Sequence, residues 1–509
     1  MGFIKSETYT RGMFLSLLFN VFARLSGLAA SLVIGFYFGA GRGADIYFYS
    51  LGAITLVSGF IVALNGAAVI PEMMRIDAAR GRRAAIGFAN GFLCVYLCAG
   101  AAAAAAAFWR PAEIFGALSR FDSEALAGAA PLLRLAGLAL AFNIANVFMA
   151  DVAAANKLFT LPMISNVLLN GAVIACVLAS RASAIAAAMT GLVLGGALQS
   201  ALLAALLRRH AGWDFCTADF RAASRAAGNI FYSQAGNAAS LLAGYLPLYL
   251  LSGCGQGAVS AMNYARQPAD MPHLALTNQF SAVAGIKFNE AAASAKTAAE
   301  LDPVFSRAAR ALVFPLACAA AFICAFSGEI MRILYLRGRM DAHTVNEAAA
   351  YLMILALAIP FAAFNTLAAR LNMAFGRLRE AMFYQIFSGM AAAAVFALCV
   401  PAWGARGYAA ATAVFAALNA AGLWLYFRKV YPGINYSAAL EYLAPACAAA
   451  LAALAAALPA KLIPAGPAWQ LAAGFSLYCI AALLINNRYR LNGDIDDFAK
   501  SLLRGRPGL

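Results

Sequence analysis

Arg24 stands near the middle of an apolar run, in Asn20-Val-Phe-Ala-Arg24-Leu-Ser-Gly27. A guanidinium that deep in a bilayer is costly, and ionisable groups placed there mark substrate paths. Its planar fork of donors suits a phosphate or pyrophosphate held in a wet cavity. The structural counterpart is an arginine bonded to helix carbonyls. Arg266, in Asn263-Tyr-Ala-Arg266-Gln-Pro-Ala-Asp270, is the second deep cation. Asp270 follows one helical turn later and is placed to pair with it, and Pro268 and Pro272 predict a broken helix there. Asn229, Ser233, Gln234 and Asn237 recur at helical spacing in another run; such groups either join helices or line a substrate path. The carboxylates Asp45, Asp151, Glu347, Glu380 and Glu441 all fall near the ends of runs. The deep charge is therefore cationic, which favours an anionic substrate over a drug or cation exchanged against a buried acid.

Other chemistries find little support. His210, His273 and His343 are far apart, and no Ser/His/Asp set or carboxylate pair emerges, so no catalytic residue is assigned. The ten cysteines are scattered, and Cys94 and Cys98 stand one helical turn apart as two small packing residues. Neither a disulfide framework nor a metal is expected.

The elements that must position these groups are membrane helices. Of 509 residues, 64% are hydrophobic and 12% charged, about half the charge of a soluble domain, and mean hydropathy is +0.77. Apolar runs of at least ~18 residues recur throughout, each long enough for a ~30 Å hydrocarbon core. None alternates as barrel strands do, so the runs must be helices. The pattern predicts an all-α polytopic protein of about 14 spans, among them 14–38, 228–251, 259–285, 380–400, 407–427 and 467–486. The first reads as a retained helix rather than a cleaved signal. Most of the 37 Lys and Arg fall on one side if the N-terminus is cytoplasmic, which orients the chain with both termini inside. The net charge of +15 is then a topology signal, and no nucleic-acid partner is expected.

The chain repeats itself. Gly39-Ala-Gly-Arg-Gly-Ala44 returns as Gly253-Cys-Gly-Gln-Gly-Ala258, and Gly27-Leu-Ala-Ala-Ser-Leu32 as Gly236-Asn-Ala-Ala-Ser-Leu241. Leu207-Arg208-Arg209 likewise returns as Phe427-Arg428-Lys429. Six helices per copy give both copies one orientation, a parallel repeat of the kind transporters use. The expected domains are an N-lobe of six spans at 1–210, a C-lobe of six at 211–430, and a final helix pair with a cytoplasmic tail at 431–509. The glycines lack the strand and Lys-Ser/Thr of a nucleotide loop and read as tight turns. No cofactor is expected; energy must come from the membrane potential or an ion or substrate gradient.

These residues resemble a known family. Ala23-Arg24-Leu-Ser-Gly27 followed by Phe38-Gly-Ala-Gly-Arg-Gly-Ala-Asp45 is similar to the opening of the MurJ/MviN lipid II flippases of the MOP exporter superfamily. Ile70-Pro71, Tyr264-Ala265, Met271-Pro272 and Leu334-Tyr-Leu-Arg-Gly338-Arg extend the likeness over nearly the whole chain. The resemblance implies two lobes plus a helix pair around a cationic cavity, flipping undecaprenyl-pyrophosphate-linked glycans across the bacterial inner membrane by alternating access. Arg24 and Asp45 match family positions. Positions where the family has arginine hold Ala30, a residue near Ser58, and Gln267, the last leaving Arg266 one residue off. The expected substrate-binding set is Arg24, Asp45, Arg266, Gln267, Asn237 and Gln234. The expected partners are the lipid-linked pyrophosphate and membrane lipids, and a monomer is expected. The alternatives are a flippase for another lipid-linked oligosaccharide, a MATE-like multidrug or cation antiporter, and a non-transporting scaffold.

Overall fold

The computed structural model describes residues 9–158, 160–180, 184–277, 284–285, 287–290, 294, 298–464, 466–489 and 491–492. Side chains are described for all of these except 9–18, 67, 222–236, 275, 298–299 and 378. Every regular element among the described residues is helical. Two compact units divide the chain: Met1–Ser260 with Gly338–Met340, and Ala261–Arg337 with Asp341–Leu509.

In the first unit, α1 (Tyr9–Phe38) and α2 (Arg42–Leu64) meet at a short turn. A π-helical turn, Asn65–Val69, joins α2 to α3 (Ile70–Arg80). The helix α4 (Arg82–Trp109) is followed by two short helices, α5 (Pro111–Leu118) and α6 (Ser123–Gly128). The long helices α7 (Ala130–Ala155), α8 (Thr160–Ala179), α9 (Ala186–Ala211) and α10 (Phe220–Leu251) complete the unit. Its core packs Phe88, Phe92 and Tyr96 of α4 on Phe148 and Val152 of α7 and on Trp213 beyond α9. Polar groups in this interior are matched, as buried groups must be. Asn146 donates to the Gly196 carbonyl at 2.9 Å, and Gln199 donates to Ser165 at 3.0 Å, tying α7, α8 and α9 together.

The chain enters the second unit within α11 (Ala258–Pro272). The expected break at the prolines is not seen: the helix runs through Pro268 and Pro272 and passes directly into a π-turn, His273–Thr277. Next come α12 (Asp302–Tyr335), α13 (Ala342–Ala356), α14 (Ala362–Ala374) and α15 (Leu378–Val430). The final elements are α16 (Tyr436–Glu441), α17 (Leu443–Ala457) and α18 (Pro467–Tyr489). α17 and α18 pack on α12 through Phe322, Phe326, Ala453, Ala457 and Tyr478. α12 kinks at Phe326 (φ −104°, ψ 17°), and Lys461 reaches the Ala325 carbonyl at 2.5 Å and Glu329 at 3.1 Å. Gly474 makes room for the kink, since a Cβ there would lie 2.5 Å from the Phe326 ring.

Eleven helical stretches among the described residues are long and apolar enough to cross a membrane. One of the eleven, Arg379–Val430, contains two expected spans. It turns back at Gly404 (φ 59°, ψ −137°), bringing Tyr384 of its first arm against Asn419 of its second. Within the expected seventh span, Asn237–Leu251 of α10 is an apolar stretch, and residues 222–236 lie outside the residues whose side chains are described. Of the expected eighth, the described residues show helix from Ala258 through Thr277, α-helical to Pro272 and π-helical beyond it.

Candidate functional site

Arg24 is exposed on α1, within the span Phe19–Phe38. Its turn is pinned from α8: Asn170 donates to Ser26 Oγ at 2.9 Å and approaches the Ala23 carbonyl at 3.4 Å. Ser26 donates in turn to the same carbonyl at 2.8 Å. Gly27 leaves space for this contact, with Asn170 Nδ2 3.6 Å from where a Cβ would stand. The run Arg24-Leu-Ser-Gly27 thus presents a guanidinium from a turn locked by a neighbouring helix. Ala30, one of the positions where arginine was expected, is buried in the packing. Ser58 is engaged with α7 and its own helix, its single hydroxyl proton lying between Asn143 Oδ1 and the Ile54 carbonyl oxygen, the latter 2.6 Å from Oγ. A long cation in place of either would disrupt helix contacts.

Asp45, in the first turn of α2, is 1% exposed. Its carboxylate accepts from the Gly257 amide at 2.5 Å, and from the Ser260 amide and hydroxyl at 2.8 Å each. A carboxylate is well placed at such a helix N-terminus, where the first amides lack partners. The acid of the first GAGRGA copy therefore caps the helix that follows the second copy. Ser260 was not singled out in the sequence, and a serine near a helix start gave no hint that its partner lies so far upstream. Replacing Asp45 with Asn would aim an amide donor at donors and remove the charge. With charge-assisted bonds worth about 1.5–3 kcal/mol each, Asp45→Asn is expected to cost at least about 3 kcal/mol. Thermal unfolding of the purified chain should show the loss, and an unchanged midpoint would exclude the cap as a source of stability.

The glycine loops interlock beside this cap. Gly39 and Gly338 have φ of 62° and 64°. A Cβ on Gly39 would lie 2.7 Å from the Arg339 carbonyl oxygen, and one on Gly338 would overlap the Phe36 carbonyl oxygen. Arg339 donates its amide to that same oxygen at 2.9 Å. Gly257 (φ 85°) brings its Cα face to the Ala40 carbonyl, 3.0 Å from where a Cβ would sit. Three motifs separated in sequence thus form one backbone crossing.

In the second unit, Arg266 is half-exposed on α11. The expected pairing exists, Arg266 Nε lying 3.8 Å from Asp270 Oδ2. Arg266 also donates to the Tyr408 hydroxyl at 3.3 Å, a partner on the second arm of α15 that the sequence reading missed. Gln267 is partly buried beside it. In the first unit, Asn237 is partly buried on α10, and Gln234 lies outside the residues whose side chains are described. Asp151 was placed near a span end. It is one turn from the end of α7, where Asn65 of the π-turn donates to it at 2.8 Å and Tyr96 donates to Asn65 at 3.0 Å.

A model of the family lipid II flippase MurJ matches residues 34–471. No curated protein matches the sequence. Among solved structures, the lipid II flippase MurJ in an inward closed conformation is 16% identical with a TM-score of 0.78, covering 94% of this chain and 99% of that one. An inward-facing multidrug resistance MATE transporter of the MOP superfamily gives 0.65 at 16% identity, over 84% and 99% of the two chains. A MOP superfamily transporter from Pyrococcus furiosus, described by the reverse polarity of its binding pocket, gives 0.60 at 15% identity over 86% and 97%. These likenesses show the MOP-type fold.

Proposed function

The chain belongs to the MurJ lipid II flippase family, and from that premise we propose that Arg24 is the group that holds the pyrophosphate of the lipid-linked substrate, with Arg266 assisting. The chain is a multi-pass membrane transporter and not an enzyme, and lipid II is the substrate of its family. The observation that carries the assignment is Arg24 held in a membrane helix on a turn fixed by Asn170. The planar fork of a guanidinium in such a span matches a pyrophosphate, which offers several oxygens in bidentate geometry. Asp45 is read as a structural cap, because its oxygens are engaged by backbone and hydroxyl donors. Gln267, Asn237 and Gln234 remain candidate contacts for the glycan.

The proposed setting is the bacterial inner membrane with both termini cytoplasmic, supported by the Lys/Arg distribution. The proposed working form is a monomer moving its substrate by alternating access, driven by the membrane potential or an ion gradient without a cofactor. Complementation tests the lipid II assignment. Expression of this chain should sustain growth of a bacterium depleted of its resident lipid II flippase. Lysis despite normal membrane expression would sink lipid II as the substrate and leave another lipid-linked oligosaccharide.

A further inference from the structure

The two arms of α15 enclose a cleft in the second unit for which the transport reading has no use. It is a cavity of about 590 Å³, walled by Phe383 and Phe387 from one arm and by Phe415, Leu418 and Leu425 from the other. Its lips are open, with Phe387 67% and Leu425 62% exposed. The polar atoms on its floor are turned on one another. Asn419 Oδ1 accepts from the Tyr384 hydroxyl at 2.8 Å and from Ser388 Oγ at 2.7 Å. The hydroxyl donors are spent, and the lining offers an apolar surface to whatever enters.

The length and one end of the cleft identify the occupant. On the first arm the lining runs from Glu380 to Ala391, about 17 Å at ~1.5 Å per residue, close to half of a ~30 Å hydrocarbon core. That is the depth of one leaflet. At the Glu380 end, Lys429 lines the mouth, and Arg377, Arg379 and Arg428 are exposed around it. The acidic group at this mouth, Glu380, lies 3.6 Å from Arg377. Arg379 lies over the Phe383 ring at 5.9 Å and Arg428 over Trp424 at 5.6 Å, which lays both guanidiniums along the helix surface. An apolar slot one leaflet deep, ending in surplus positive charge, has the form of a site for an amphiphile with an anionic head.

We propose that this cleft binds an anionic glycerophospholipid, one acyl chain lying between the arms of α15 and the head-group phosphate held by Lys429 and its neighbouring arginines. The positive-inside bias puts this end in the cytoplasmic leaflet. Lipid at this position braces the two arms, which are joined covalently only through the turn at Gly404. The proposal is independent of which substrate the transporter moves.

The test uses the full chain purified in detergent and mixed with phosphatidylglycerol or phosphatidylcholine of identical acyl chains, with bound lipid counted by native mass spectrometry. Wild type should retain the first phosphatidylglycerol molecule about tenfold better than phosphatidylcholine. Arg428→Gln combined with Lys429→Gln should lower phosphatidylglycerol retention about tenfold and leave phosphatidylcholine unchanged. Leu418→Trp, which fills the slot, should lower retention of both lipids while the chain still elutes as wild type does. Equal retention of the two lipids by wild type would overturn the proposal, as would unchanged phosphatidylglycerol binding in both variants. A dimer cross-linked through a cysteine placed at Phe387 would overturn it too, by making a second copy the occupant.

Discussion

Arg24→Ala is expected to slow the flipping of a fluorescent lipid II analogue in reconstituted vesicles by about 30-fold or more. A hydrogen bond to a charged group is worth about 1.5–3 kcal/mol, and a bidentate guanidinium–phosphate contact supplies two. Each ~1.4 kcal/mol is a factor of ten, so losing even part of the pair has a large effect. Arg24→Lys keeps the charge and loses the planar fork, so its rate should fall between those of wild type and the alanine variant. Asn170→Ala tests the support beneath the arginine. It removes the bond to Ser26 Oγ at 2.9 Å and leaves the guanidinium, so a loss of severalfold is expected. Alanine at position 24 flipping at the wild-type rate, with normal expression and elution, would remove Arg24 from the site and leave family membership intact.

What the sequence made legible was local. Arg266 and Asp270 are one turn apart on one helix, so their pairing at 3.8 Å could be read from spacing. Tyr408 approaches the same arginine from a helix 142 residues on, and no spacing rule reaches that far. Apolar runs reveal spans because length and composition are properties of a single segment. They say less about how spans join: α15 puts two spans into one 53-residue helical run broken by the positive φ of Gly404. The repeat was visible as two glycine motifs, and their role as turns follows from the residue type. That Asp45 of one copy caps the helix after the other was hidden, because its donors lie 212 and 215 residues away. Asp151 shows the same limit: its position near a helix end was clear, while its direction toward Asn65 and Tyr96 depended on how α4, α7 and the π-turn pack.

Gly338→Ala is the substitution expected to damage the fold most. Two independent costs fall on one methyl group. The residue sits at φ 64°, where an L side chain costs about 1–2 kcal/mol. Its Cβ would also overlap the Phe36 carbonyl oxygen, which is fixed because it accepts the Arg339 amide at 2.9 Å. The overlapping atom is backbone, so no side-chain rotation relieves it. Either the 338–340 segment lifts off the end of α1 or α1 shifts, and Gly39 faces Arg339 across the same crossing at 2.7 Å from its absent Cβ. Lifting the segment opens the crossing in which the Gly39 and Gly257 loops also meet, beside the amides that Asp45 caps. A total loss of about 3–5 kcal/mol is expected, read as a lowered unfolding midpoint and reduced recovery of monodisperse protein. Gly376→Ala is the matched control. Gly376 also has a positive φ, 63°, but nothing stands within 4 Å of its absent Cβ, so it carries the conformational cost alone. If both variants lose stability equally, backbone preference accounts for the glycines; if Gly338→Ala loses more, the excess measures the crossing of the loops.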